Sequence, residues 1–290
     1  MEKAKVYFTK EVSPDALVKM YEVLGVELPG KVAVKLHSGE QGNKNYLRPE
    51  FVEKLVQRVN GTVVECNTAY PGARDTTEKH QKLMDEHGWS KYFDVDIMDS
   101  EGPDMELDIP NGKQIKKNYV GKHMANYDSM LVLSHFKGHA MGGFGGALKQ
   151  LSIGCASSYG KGYIHGAGEV KESIFGTDQL QFVTSMGDAA SSVHKYFDGH
   201  IVYINCMVNI SIDCDCDGNA SAPCMADIGI LASTDPVAID EACLDLVYNS
   251  TDSGKDKLIH RIEEKLGKTI IDVAISNGTG TKDYELINID

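Results

Sequence analysis

Short β-branched runs alternate with amphipathic helical stretches along most of this chain, and that rhythm leaves few folds open. Ala4–Thr9 reads as a strand, and Pro14–Leu24 as a helix with Ser13 as its N-cap. Lys31–His37 (K-V-A-V-K-L-H) is a second strand, and Pro49–Val59 a helix that opens on proline and sets Phe51, Leu55 and Val59 on one face. Thr62–Cys66 and Thr76–Glu86 repeat the pair. Units of this kind build a largely parallel sheet covered by helices on both faces.

Further along, Ser129–Ser134 and His200–Ile210 are apolar strands, Gly145–Ile153 begins a helix, and Leu180–Phe197 is another. Ile228–Ser233 and Pro236–Tyr248 form one more strand–helix unit, with Asp235 predicted as the helix cap and Asp240 as a first-turn charge. Lys255–Leu266 is predicted as a helix and Thr269–Ser276 as a closing strand. Asp94–Met98, Met105–Ile109 and Gln114–Val120 are short β-type runs, with Asn111-Gly112 as a hairpin signal between the last two. They predict a β-rich, antiparallel insertion at about 94–121. The expected architecture is thus a single three-layer α/β domain over residues 1–290, mostly parallel, with a small antiparallel extension.

Charge narrows the partners. Against 29 basic residues stand 42 acidic ones, a net charge of −13. Such a surface repels phosphate backbones and anionic lipid, so neither nucleic acid nor a membrane is an expected partner. A small-molecule anion or a redox partner protein is expected, with a homodimer as the base-rate assembly. No apolar run approaches the roughly 20 residues that span a bilayer. The opening M-E-K-A-K-V-Y-F enters a strand without a signal peptide's apolar core, so a cytoplasmic location is expected. Clustered cysteines in a reducing compartment point to metal or redox ligation, and the odd total of 7 argues against full pairing.

The densest cluster is S-I-D-C-D-C-D-G-N-A-S-A-P-C-M, residues 211–225. Cys214, Cys216 and Cys224 stand among Asp213, Asp215 and Asp217, and Gly218 permits a tight turn. In an extended C-x-C both thiols point to one face, where a single metal or cluster can touch both. A polar Cys-Asp-Cys is unlike core sequence, although cysteines packed in a turn-rich loop are the plainer alternative. The spacing selects neither zinc nor iron. Cys155, at a glycine-marked helix end in S-I-G-C-A-S-S, is the best third ligand, and Cys224 or His139 would complete the shell. Cys206 and Cys243 read as core.

The second segment is S-H-F-K-G-H-A-M-G-G-F-G-G-A-L-K, residues 134–149, where a buried strand opens into a glycine-rich loop and then a helix. Ligands gather at such strand ends. Gly142, Gly143, Gly145 and Gly146 could bring backbone amides to an anion, with His37 beside them. His135, His139 and Lys149 are the candidate catalytic or anion-positioning side chains. The glycines fail the G-x-G-x-x-G spacing, and Gly154 to Gly160-Lys161 fails the P-loop spacing, so dinucleotide and ATP sites of those kinds are excluded. The loops H-S-G-E-Q-G-N (37–43) and N-T-A-Y-P-G-A-R (67–74) follow strands on the same edge, which makes His37, Glu40, Asn67 and Arg74 pocket candidates.

Three segments together, K-V-A-V-K-L-H-S-G-E, the 134–157 stretch ending L-S-I-G-C-A-S, and D-C-D-C…P-C-M-A-D-I-G-I-L-A-S-T-D-P-V-A-I-D-E-A, resemble domain-of-unknown-function family 362. Its members are often called uncharacterised iron–sulfur centre proteins. The resemblance covers roughly residues 4–250 and implies an iron–sulfur cluster, first of the 4Fe–4S type, with zinc as the alternative. Many relatives carry a ferredoxin-type C-x-x-C-x-x-C insertion after G-C-A-S; here A-S-S-Y-G-K-G-Y-I-H has no cysteine, so that module is missing and the core cysteines alone could serve. The run from His139 to Lys149 also resembles a segment of nickel-pincer lactate racemases, in which histidine and lysine hold a cofactor or substrate.

Overall fold

A computed structural model describes residues 3–290. Its strands are β1 (Ala4–Thr9), β2 (Val32–Lys35), β3 (Gly61–Glu65), β4 (Val95–Ile97), β5 (Met105–Asp108), β6 (Lys117–Val120), β7 (Ser129–His135), β8 (Lys137–His139), β9 (Gly143–Gly145), β10 (Ile201–Met207), β11 (Gly229–Ser233) and β12 (Tyr284–Asn288). Eight of them form one sheet in the order β12-β1-β11-β10-β7-β2-β3-β4. Only β11 runs against its neighbours; the other pairings are parallel. Strands β5–β6 and β8–β9 are separate antiparallel hairpins.

Side-chain alternation divides the sheet between two cores. Along β7, Met130 and Val132 pack into one apolar cluster and Leu131 and Leu133 into the other. Along β10, Ile201 and Tyr203 face the first, Val202 and Ile204 the second. Both strands are buried on both faces, as their unbroken apolar sequences require. Helices Pro14–Glu22 and Pro49–Arg58 cover one face, while Gln179–Tyr196, Pro236–Tyr248 and Thr269–Ser276 cover the other.

Three expectations are corrected. Thr269–Ser276 is a helix, because Ile270, Ile271, Val273 and Ala274 lie at helical spacing and bury one stripe against Gln179–Tyr196. The closing strand is Tyr284–Asn288, half exposed and paired in parallel with β1 from the far end of the chain. Within 94–121, the 95–97 run is no part of an antiparallel insertion: it extends the main sheet, parallel to β3, and only Met105–Val120 forms the hairpin. Asp235 caps its helix as expected, accepting from the N–H groups of Val237 and Ala238, both at 2.9 Å.

Asp240 is fully buried and belongs to another helix's start. Its carboxylate accepts from the N–H groups of Ala147 (2.8 Å) and Leu148 (2.9 Å) and from Asn205 Nδ2 (2.7 Å). Gly146 is needed here, since a Cβ would stand 2.4 Å from Asp240 Oδ1. A carboxylate at a helix N-terminus matches the local dipole, and this one aims the segment that carries Lys149.

Gly187 sits in the middle of the long helix against Val273. A glycine there costs helix propensity, and alanine would ordinarily recover up to ~1 kcal/mol. A Cβ at Gly187, however, would lie 2.6 Å from Val273 Cβ and 2.9 Å from Ile270 O. Sterics win: Gly187→Ala is expected to destabilise the protein by about 1–3 kcal/mol in urea unfolding, and a gain in stability would contradict the packing described.

Candidate functional site

The parallel strands β10, β7, β2 and β3 end on one edge, and their following loops meet there. The thiol segment is a tight turn rather than an extended strand: Asp217 N–H donates to Cys214 O at 3.0 Å. Both thiols still converge. The Sγ atoms of Cys214 and Cys216 and a ring nitrogen of His139 all lie within 4.8 Å of one another.

Neighbouring loops hold this turn. Glu40 N–H donates to Asp215 O at 2.8 Å, and Asn43 Nδ2 donates to Asp217 O at 2.8 Å. Gly218 lets the turn touch the Gln41 carbonyl, which a Cβ would approach to 2.3 Å. Beneath it, Asp215 points into the protein and is fully buried. It meets His135 Nδ1 at 2.9 Å and Lys137 Nζ at 2.8 Å. Burial alone would raise its pKa, but the charges of His135 and Lys137 overcome that and hold the carboxyl well below the usual range. His135 Nε2 faces Val208 O at 2.6 Å, so both ring nitrogens are engaged.

His139 follows from hairpin β8–β9. Its Nδ1 accepts from Met141 N–H (3.1 Å) and Gly142 N–H (2.8 Å), which leaves Nε2 toward Cys216 Sγ at 3.9 Å. Lys149 Nζ stands 3.8 Å from Cys214 Sγ. The Cys216 thiol donating to it, with Lys149 and His139 alongside, pushes the Cys214 thiol well below its ordinary range and the Cys216 thiol up. Lys149 ends a short helix, and Gln150–Gly154 continues as a π-helical turn, a distortion common at functional sites.

Above the thiols lies a cavity of about 250 Å³ whose walls include His37, Arg74, His139, Lys149, Lys161 and Cys216. His165 and Glu65 also contribute, and Met141, Ile153 and Phe175 supply apolar surface. A chain of buried ions backs it. Lys35 Nζ meets Glu65 Oε2 at 2.7 Å and Leu36 O at 2.6 Å; Arg74 Nε meets Glu40 Oε2 at 3.1 Å, and Arg74 Nη2 donates to Tyr70 Oη at 3.0 Å. Burial opposes ionisation of Glu65, but the Lys35 ammonium first and the Arg74 guanidinium with it keep its carboxyl well below the usual range. His37 is held neutral, its pKa pushed well below the ordinary histidine range by burial and by Arg74, while its Nδ1 accepts from Gly39 N–H at 3.0 Å.

The expected residues divide. Cys214, Cys216, His139, Lys149, His37 and Arg74 come together at the thiols and cavity. His135 is brought instead beneath the turn as Asp215's partner, away from the cavity walls. Cys155 is buried among Lys35, Lys161 and Glu65, its thiol pushed up to about 11 by burial, and it is not in the converging donor group. Cys224 is half-buried near Asp252 and Lys257 and is likewise outside that group. The four glycines each have protein atoms beside them. Gly142 N–H caps His139, Gly143 abuts Gly267, Gly145 lies against Lys137 and Lys149, and Gly146 meets Asp240. Asn67 is spent on Thr77 and His80, and Cys206 and Cys243 are core. Lys35, Glu65, Lys161 and His165 were not singled out; the signal for the first two is a charge inside an otherwise apolar strand run.

His165 stacks on Phe182 at 4.6 Å, and its buried Nδ1 has no hydrogen-bond partner. Burial, then the nearby His139, Lys149 and Lys161, push its pKa down to about 3. The folded protein therefore keeps His165 neutral while the unfolded chain takes up a proton below about pH 6.5, so stability falls as pH drops through that window. His165→Phe is expected to unfold later in urea than the wild type. Its advantage should widen by up to ~1.4 kcal/mol per pH unit below about pH 6.5. Equal pH profiles for the two proteins would contradict this.

Asp215→Asn leaves two buried cationic side chains without their carboxylate. A loss of about 3–5 kcal/mol in urea unfolding is expected, together with faster alkylation of Cys214 as its turn loosens. An unchanged alkylation rate would show that Asp215 does not hold the thiols.

Among curated proteins, none matches the sequence. The lactate racemase apoprotein from Thermoanaerobacterium thermosaccharolyticum is similar at 15% identity and a TM-score of 0.42, over 70% of this chain and 50% of that one. A structural-genomics protein from Thermotoga maritima is similar at 10% identity and a TM-score of 0.44, over 90% of this chain and 58% of that one. The chain thus spans little more than half the length of these two solved structures. No helix among the described residues is long and apolar enough to cross a membrane. The model of the family described as Domain of unknown function (DUF362) matches residues 32–245, most of the chain, and the protein belongs to that family.

Proposed function

We propose that this protein binds a small anionic molecule in the cavity, directly above a soft-metal centre formed by Cys214, Cys216 and His139. One observation carries the anion: in a chain of net charge −13, Lys149 and Lys161 line a small cavity, and neither has a carboxylate partner among the described residues. A carboxylate or phosphate group entering there meets the Lys149 ammonium, the Lys161 amine and neutral histidines, with apolar walls that exclude water and strengthen each contact.

Two thiolates and an imidazole would suit a borderline-soft ion such as zinc. The iron–sulfur cluster implied by the family resemblance needs about four ligands. Cys155 and Cys224 lie outside the converging group, so three donors favour a single ion over a cubane. When bound, the ion would act as a Lewis acid on an oxygen of the anion. The chain's own groups do the rest: Lys149 balances thiolate charge, His37 and His139 present ring nitrogens, and the Lys35–Glu65 and Arg74–Glu40 pairs fix the walls.

His139 is the weakest of the three donors, because its Nδ1 already accepts two backbone N–H groups. A metal-bound histidine ordinarily donates from its other nitrogen. Zinc added to metal-free protein is therefore expected to bind at one equivalent. Cys214→Ser and Cys216→Ser should each lower affinity by more than ~100-fold, but His139→Ala by about tenfold. Elemental analysis after dialysis and thiol protection against a disulfide reagent measure this. Brown protein with sulfide-bearing iron after anaerobic purification would favour the cluster; metal-free protein that refuses zinc would remove the centre altogether.

A further inference from the structure

Three lysines are buried around this site and a fourth, Lys149, is half-buried; three of the four face an anionic atom. Lys35 is paired with Glu65 at 2.7 Å, Lys137 with Asp215 at 2.8 Å, and Lys149 stands 3.8 Å from the Cys214 sulfur. Lys161 differs. Its Nζ touches only two carbonyl oxygens, Ala156 O at 2.6 Å and Cys66 O at 3.4 Å, and it makes no ion pair among the described residues. Two acceptors occupy two N–H groups of an amine; the remaining valence of a lysine that lines the cavity is left for whatever enters it.

The helix that carries Lys161 is firmly placed. Ser157 caps it, accepting from Gly160 N–H at 2.9 Å, and Ser158 N–H donates to Asp99 Oδ2 at 2.8 Å. Gly160 is pressed on Tyr119 so closely that a Cβ would lie 1.9 Å from the Tyr119 carbonyl oxygen. The amine is thus fixed at the cavity wall beside Ile153 and Cys66 rather than tethered loosely.

We propose that Lys161 is an amine nucleophile that forms an imine with a small carbonyl-bearing carboxylate, a 2-oxo acid, bound in the cavity. This rests on the anion-binding reading above and names the class of anion. Nζ attacks the carbonyl carbon and its proton passes to the former carbonyl oxygen, giving a carbinolamine. Loss of that hydroxyl together with the second N–H proton, as water, leaves the C=N bond, so no oxidant or reductant is needed. The Ala156 and Cys66 carbonyls orient the amine, and Lys149 is the cation available to the substrate's carboxylate. Burial pushes the Lys161 amine below its ordinary range, with Asp99, Glu65 and the Cys66 thiol acting the other way and Lys35 adding to the fall. A desolvated lysine is suited to this chemistry.

The test is reductive trapping of the whole protein with glyoxylate or pyruvate and sodium cyanoborohydride at pH 7, read by peptide mass spectrometry. Lys161 is expected to be labelled at least about tenfold faster than exposed lysines such as Lys82, and inorganic phosphate should slow that labelling. Because rates of different lysines are compared within one wild-type protein, no variant has to fold. Labelling of Lys161 no faster than of Lys82, or preferential labelling of Lys149, would overturn the proposal. If phosphate protects Lys161 from a slow reagent such as trinitrobenzenesulfonate yet no imine is trapped, the nucleophile fails and the anion site stands. Fast trapping indifferent to phosphate would support the amine and overturn the anion site.

Discussion

Asp215 is the joint on which the thiol turn hangs. Its side chain is buried between an imidazole and an ammonium group supplied by the end of β7 and the start of β8, while its neighbours in sequence carry the two sulfurs upward. A carboxylate taken out of water needs several kcal/mol of compensation, and two cationic partners at hydrogen-bonding distance provide it. The two cysteines are presented together because the residue between them cannot leave.

The same logic extends behind the cavity. Lys35, Glu65, Arg74 and Glu40 alternate in sign across β2, β3 and the loops that follow them. Buried ion pairs of this type contribute little net stability against apolar packing of the same volume, but they tolerate few alternative arrangements. Gly154 is part of that arrangement: a Cβ there would stand 2.4 Å from Gln150 Oε1 and 3.2 Å from Lys35 Nζ, so its bareness lets the π-helical turn and the strand lysine meet.

Much of this was legible in the sequence where the physics is local. Strand-like runs at β2, β7 and β10, the proline-opened helices and the Asp235 cap follow from period and capping alone. Convergence of Cys214 and Cys216 was also legible, although through the wrong geometry, since a turn rather than an extended strand gathers them. What failed was non-local. Nothing near Cys155 in the sequence tells that its side chain turns toward Lys35 and Lys161. The glycines of 142–146 look like a ligand cradle, but Gly143 is packed on Gly267 and Gly146 on Asp240. Tyr284–Asn288 is a strand only because β1, from the opposite end of the chain, offers an edge.

Asp240 carries one more implication, for order of assembly. The amide groups that begin the Lys149 segment are satisfied by a carboxylate more than ninety residues later, and the cysteine turn lies between the two in sequence. A nascent chain that has just completed the sulfur-bearing turn still lacks the group that aims Lys149 at it. The amide groups of Ala147 and Leu148 can be held in this way only once the helix of residues 236–248 is in place.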